Sequence, residues 1–388
     1  MKYRSFGQQD WKVSAFGLGC MRLPTTDPTP NPFAKIDEPE ALRMIHHAID
    51  RGVNYLDTAY LYHGGHSELV VGKALKEGGH RHKIRLATKL PVMMIKEEAE
   101  FERILNEQLV KLQTDYIDYY LLHGLSRKTW RDVVLKFDFL SKSEAAIRDG
   151  RIRYLGFSFH DDYSAFEEIV NGYDRFTFCQ IQYNYMDTDN QAGTKGLKLA
   201  ASKGLATVIM EPLLGGKLAN PPQPIRDFVD RCEPRRTPAD WALQWLWDQP
   251  EVSVVLSGVS TMTQLQENLA SAEISQVDSL QPADHQVIEQ LQQKYRERTV
   301  IPCTKCNYCM PCPNGVNIPQ VFDLYNLAMV HEEPQHSRMA YGFFVPESAR
   351  ANKCENCKVC EEKCPQAIKI SEWMPKVHEL LAPPAPPA

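Results

Sequence analysis

What most constrains this chain is an alternation. Short runs that are apolar on both faces recur at residues 14–19, 53–56, 84–87, 116–122, 152–157, 176–181, 206–210 and 252–256. Stretches with helical spacing of apolar residues lie between and after them, at 38–51, 67–77, 97–112, 130–149, 163–171, 191–203, 238–248 and 261–272. A strand apolar on both faces belongs between two layers, as parallel strands do. Eight strand–helix units predict an α/β fold of the (β/α)8 TIM-barrel type. A doubly wound sheet is the competing architecture, and it carries a G-x-G-x-x-G turn after its first strand. Here Gly17-Leu18-Gly19-Cys20-Met21-Arg22 lacks the third glycine, and a Pro-rich loop at 24–32 follows instead of a helix. The first 19 residues read as a small hairpin entering the first strand.

The remainder is organised differently. Of the 388 residues, 11 are Cys, and eight of those fall between Cys303 and Cys364. The predicted division is a barrel over 1–295, a small, mostly helical iron–sulfur domain over 296–375 and a Pro/Ala-rich tail over 376–388, with helices at 282–298 and 318–330. The net charge of −5 has its signs interspersed. That pattern lacks the basic surface expected for nucleic acid or an anionic membrane. No signal peptide or membrane span is legible. Clustered cysteines without a secretory signal point to metal binding in a reducing, cytoplasmic setting.

The cysteine spacing narrows the metal. The first run is Cys303-x-x-Cys306-x-x-Cys309-x-x-Cys312-Pro313, and the second is Cys354-x-x-Cys357-x-x-Cys360-x-x-x-Cys364-Pro365. Three thiolates at this spacing wrap three corners of a cubane, and the fourth, before Pro, reaches the other cluster in two-cluster ferredoxins. The first run is one residue shorter before its last Cys. Structural zinc takes separated Cys pairs and does not require contiguous runs. Two 4Fe-4S clusters are therefore expected, with all eight cysteines as ligands.

Functional residues of a barrel collect at the C-terminal ends of its strands. There the sequence offers Asp57, with Tyr62 in the loop after it, then Lys89 in Ala-Thr-Lys and His123 in Leu-Leu-His. Each has an ordinary reading alone: a turn former, a core histidine, a snorkelling lysine. Together they fit carbonyl reduction. A carbonyl accepting hydride needs a proton at oxygen, and a free tyrosine, with a pKa of about 10, is a poor donor unless a cation lowers it. Lys89 is the expected cation, Asp57 its anchor and His123 the group that orients the substrate oxygen. Hydride must come from a nicotinamide.

These residues resemble the catalytic tetrad of the aldo-keto reductases, over about residues 1–295. The resemblance implies an oxidoreductase using NADPH or NADH without flavin. It also implies a set of cofactor positions. Ser158 in Gly156-Phe157-Ser158 and Gln180 correspond to residues that hold the carboxamide, and Phe159 follows where the family has Asn. Met210 stands where the family stacks a Tyr on the nicotinamide. Ser257, Gly258, Thr261, Glu267 and Asn268 resemble the adenosine-phosphate motif, with Gly258 and Gln264 in place of a Lys and an Arg found in many relatives. Gly19, Cys20 and Met21, at the end of the first strand, complete the set. The cysteine unit resembles the ferredoxin-type unit appended to some of these reductases.

The leading expectation is thus a small-molecule carbonyl/alcohol oxidoreductase, and three roles are open to its clusters: structural, electron exchange with a ferredoxin-like partner, or sensing of redox state or oxygen. An iron–sulfur electron-transfer protein whose barrel only docks a redox cofactor or partner is the alternative, and a nucleotide-sensing subunit without turnover is a third. Hydride carries two electrons and the clusters carry one each, so without a converter such as flavin the clusters are expected to be structural first.

Overall fold

The computed structural model describes residues 1–27 and 34–382. The Pro-rich loop and the Pro/Ala-rich tail of the sequence reading lie partly outside those residues. The chain forms two compact units, Met1–Ala219 with Arg236–Asp284, and Asn220–Arg235 with the residues from His285 onward.

The first unit begins with an antiparallel hairpin, β1 (Tyr3–Phe6) and β2 (Gln9–Ser14). Eight parallel strands follow: β3 (Phe16–Gly19), β4 (Tyr55–Asp57), β5 (Arg85–Leu90), β6 (Ile117–Leu125), β7 (Ile152–Phe159), β8 (Phe178–Gln182), β9 (Ala206–Met210) and β10 (Val252–Gly258). They close into a barrel in which β10 pairs with both β9 and β3. The doubly apolar runs have a direct cause. Tyr55, Ala87, Tyr119, Leu121, Phe178, Val208 and Val254 fill the interior. Their neighbours Leu56, Leu86, Tyr120, Leu122, Ile209 and Val255 join the layer between strands and helices. Fully burying one such side chain is worth about 1.5–3 kcal/mol, so neither face can become polar without loss. Phe6 and Val13 of the hairpin join the interior, with the Phe6 ring 4.7 Å from that of Tyr119. The hairpin thereby stops the N-terminal end of the barrel and leaves the C-terminal strand ends for chemistry.

Side-chain caps set several helix starts. Asp162 accepts the Ala165 N–H at 2.9 Å and Thr237 accepts that of Asp240 at 3.1 Å, each supplying a partner to a donor the helix itself leaves unpaired. The single helix expected at 130–149 is instead interrupted. A turn of π-helix at Trp130–Leu135 is followed by Asp138 at φ 51°, and a new helix runs over Phe139–Arg148. On a continuous helix Phe139 would lie about 140° round from Val134. The break lets both be fully buried.

The second unit is helical. Its main helices are Ile318–His331, Pro334–Phe344 and Ile370–Leu381, packed through Val321, Phe322, Tyr341, Ile370, Met374 and Val377. Asn326 accepts the N–H of Ile301 at 2.9 Å and donates to its carbonyl at 2.7 Å, pinning the entering segment. The segment 220–235 belongs here, with Lys294 Nζ 4.9 Å from the Phe228 ring centre. The contact division therefore begins at His285, where the sequence reading placed the boundary at 295. The tail expected from 376 needs correction: 376–381 complete the last helix, because Val377 and Leu381 are fully buried on its apolar face. Among the described residues no helix is long and apolar enough to cross a membrane.

Candidate active site

Asp57 ends β4 and Lys89 lies near the end of β5, the neighbouring strand. Both are buried, and Lys89 Nζ donates to Asp57 Oδ1 at 2.6 Å, to the Thr58 carbonyl at 2.7 Å and to Tyr62 Oη at 3.3 Å. An ammonium has three donors and no acceptor, so all three are in use. Tyr62 reaches this point through a tight turn. His63, Gly64 and Gly65 take φ values of 51°, 63° and 91°, which swing the chain into the helix Ser67–Glu77. The two glycines adopt these angles freely, whereas His63 does so at a cost of about 1 kcal/mol. His123, from β6, sets its ring edge-on to Tyr62 with centroids 6.1 Å apart. All four expected residues are thus brought together.

The protonation states follow from burial and neighbours. Burial opposes the charge of Lys89, but Asp57 and then Tyr62 outweigh it and its pKa is raised. Burial raises Asp57 against the pull of Lys89. Tyr62 corrects an expectation: burial raises its pKa by more than Lys89 lowers it. The phenol keeps its proton. His123 is pushed well below the usual histidine value by burial, then by Lys89 and His160, and is neutral.

A second polar layer beneath the site was not anticipated. Gln108 Nε2 donates to Glu68 Oε1 at 2.7 Å, to the Lys89 carbonyl at 3.1 Å and to Thr88 Oγ1 at 3.2 Å. Thr88 also donates to Glu68 at 2.6 Å, and Tyr120 Oη donates to Gln108 Oε1 at 2.8 Å. Glu68 and Gln108 are fully buried. The available signal was the position of Gln108, in register with the apolar stripe Phe101, Ile104, Leu105 and Leu112.

Several expected cofactor positions also cluster. Ser158 and Gln180 are paired neighbours on β7 and β8. Ser158 Oγ accepts the Gly124 N–H at 2.8 Å. Gln180 is buried; among the described residues its Oε1 has no partner, and its Nε2 donates to the Met210 sulfur at 3.6 Å. Gly19 and Gly258 pair across β3 and β10, and Asn268 donates to Ser257 Oγ at 3.0 Å. Thr261 caps the helix Met262–Glu273. Cys20 is buried, Met21 is exposed and Glu267 is half-buried on that helix.

In the second unit the cysteines line two small cavities. Cys303, Cys306, Cys309 and Cys364 line the first, and Cys312, Cys354, Cys357 and Cys360 line the second. Each cavity thus takes three thiols from one run and the last from the other. Burial pushes the Cys360 thiol up to about 11, with Cys312 and Cys354 adding to the effect. Among the described residues no group of three or more His, Cys, Asp or Glu is placed to hold a single metal ion.

Comparison with known proteins agrees with the barrel. The model of the Aldo/keto reductase family matches residues 15–292, ending before the first clustered cysteine. The uncharacterized oxidoreductase YqkF of Bacillus subtilis (strain 168) is 28% identical over 305 residues, covering 70% of this chain and 91% of that protein. The aldo-keto reductase AKR11C1 from Bacillus halodurans, in its holo form, superposes with a TM-score of 0.60 at 29% identity, over 75% of this chain and 96% of its own. A Klebsiella pneumoniae aldo-keto reductase in complex with NADPH shares the fold at 22% identity and a TM-score of 0.61, over 75% of this chain and 96% of its own.

Proposed function

This chain belongs to the aldo/keto reductase family and is an oxidoreductase of that type, and we propose that it interconverts a small-molecule carbonyl and its alcohol with NADPH or NADH, Tyr62 giving the proton. One observation carries the reading: Lys89 donates into the Tyr62 oxygen while Asp57 and the Thr58 carbonyl hold the ammonium. Because Lys89 fills an acceptor position on that oxygen, the phenol O–H is free to point at substrate. As the proton leaves, the same N–H contact steadies the phenolate. Neutral His123 offers a ring nitrogen to the substrate oxygen and sets its direction. Gln180 tests the nicotinamide fit. Among the described residues its buried Oε1 lacks a partner, a costly state that a carboxamide N–H relieves. Ser158 stands beside Gln180, and Met210 presents a soft surface to the ring. When bound, the nicotinamide supplies the hydride.

Tyr62→Phe tests this directly. Turnover with aldehydes and ketones is expected to fall by roughly 10²–10⁴-fold, while nucleotide binding measured by fluorescence stays within about twofold. Retention of most of the rate would remove Tyr62 from the mechanism.

For the second unit the reading is two 4Fe-4S clusters, one on Cys303, Cys306, Cys309 and Cys364 and the other on Cys312, Cys354, Cys357 and Cys360. Support comes from the donor set: four thiols round each cavity, interleaved between the runs as cubane spacing requires. A cubane holds its thiolates apart at separate corners, unlike a single ion. Such clusters supply cross-links and one-electron storage. The structural role is favoured by Cys309 and Cys360, which are themselves part of the apolar core. Exposed Cys306 and Cys357 favour, as a second reading, exchange with a ferredoxin-like partner. Anaerobic purification followed by iron and sulfide analysis should return close to eight of each; a single zinc per chain would overturn the assignment.

A further inference from the structure

We propose that Arg22 is the cation that holds a phosphate of the bound dinucleotide, in place of the cationic side chains missing from positions 258 and 264. The inference rests on the nucleotide-binding reading above. It starts from Gly258, the last residue of β10, which pairs with Gly19 at the end of β3. A Cβ built on Gly258 would lie 3.2 Å from Arg22 Cβ, 3.3 Å from its Cγ and 3.4 Å from its Cδ. The Arg22 stem therefore runs flat across the glycine, through the space a side chain at 258 would occupy. Ser260 Oγ donates to the Arg22 carbonyl at 3.0 Å, tying the loop after β3 to the loop after β10.

The other candidate position is already engaged and neutral. Gln264 Oε1 accepts the Ser260 N–H at 2.9 Å, and the Gln264 N–H is capped by Thr261 at 3.2 Å. The guanidinium of Arg22 is differently placed. Its side chain is 35% exposed, and among the described residues its ion-pair partner is Glu211, at 4.0 Å, beyond hydrogen-bond length. A planar fork with its donors open, on a stem held by packing, suits a phosphate. Two sources of that phosphate are chemically equivalent here, the 2′-phosphate and the diphosphate bridge.

Fluorescence titration of the full-length holoprotein with NADPH and NADH tests the assignment. Arg22→Gln keeps a stem over Gly258 and removes the charge. It should raise the Kd for NADPH roughly ten- to hundredfold, the usual weight of a charge-assisted contact. A rise for NADPH alone assigns the 2′-phosphate, and an equal rise for both nucleotides assigns the diphosphate. Arg22→Ala combined with Gly258→Lys refills the same space with a charge and should recover at least tenfold over Arg22→Ala. Unaltered affinity in Arg22→Gln, or no recovery in the double variant, overturns the assignment. Failure of the unsubstituted protein to bind either nucleotide would instead remove the cofactor reading, and this proposal with it.

Discussion

The barrel and the cysteine unit build their sites in opposite ways. In the barrel, the site is a thin polar layer on a large apolar body. Lys89, Asp57, Thr58 and Tyr62 bond one another, and the interior beneath them is filled by residues such as Tyr119, Leu121 and Val208. In the second unit the candidate ligands are part of the core. Cys309 and Cys360 are buried within it, and Cys303, Cys312, Cys354 and Cys364 pack against it. A large core tolerates a specialised site at its rim, whereas a small domain lacks enough apolar surface to stand without cross-links. The barrel should therefore lose activity before it loses its fold, and the second unit should lose both together.

The largest test of that contrast is Cys360→Ala. The second unit should lose its own melting transition entirely, while the barrel retains its transition and its nucleotide affinity. Simultaneous loss of both in calorimetry would break the contrast. Lys89→Met comes next. It strands Asp57 in a buried position, so turnover should fall by at least about 10²-fold. Denaturant titration should show the barrel weakened by about 3–5 kcal/mol, the usual cost of breaking a buried pair. A stability unchanged from the parent would mean that Asp57 takes up a proton in the folded protein without penalty.

The pH dependence sharpens the picture of the barrel site. Tyr62 has its pKa raised by burial and His123 has its pKa depressed by burial. Both groups thus keep one protonation state between about pH 6 and pH 9, and kcat for reduction should be flat there. A sigmoid centred near neutrality would point to another acid. The smallest effect is expected from Glu68→Gln. Burial raises the Glu68 pKa in the folded protein against the pull of Thr88 and Gln108. The folded state then binds the proton more tightly than the unfolded state, so stability falls as pH rises from the unfolded value through the folded one. Glu68→Gln keeps an acceptor for Thr88 and Gln108 and removes that slope. It should stabilise the barrel by up to about 1 kcal/mol at pH 8 and by less at pH 5. An equal effect at both values would show that folding does not raise the Glu68 pKa.

Much of the molecule was legible in advance because its signals are local. The two-residue period of strands and the 3.6-residue period of helices lie within short windows. Eight doubly apolar runs therefore identified the barrel, and strand-end positions identified Asp57, Lys89 and His123. Cysteine spacing is equally local, and the interleaved grouping it implied matches the two cavity linings. The break at Asp138 escaped because helical periodicity reads straight through a single left-handed residue. The tail boundary at 376 falls inside the final helix, which runs through Pro375 because Val377 and Leu381 are buried on its apolar face.

By itself, then, the sequence determined the barrel architecture, picked out the four polar residues that meet at its strand ends and grouped the eight clustered cysteines. Only the tertiary structure decided what converges from distant segments. The pull of burial on Tyr62 against Lys89, the buried Gln108–Glu68–Thr88 layer and the Arg22 stem across Gly258 all depend on register between strands and on which helix face turns inward. Those are properties of the closed barrel. A local window holds the periods of its elements but not the relative shifts that bring their ends together.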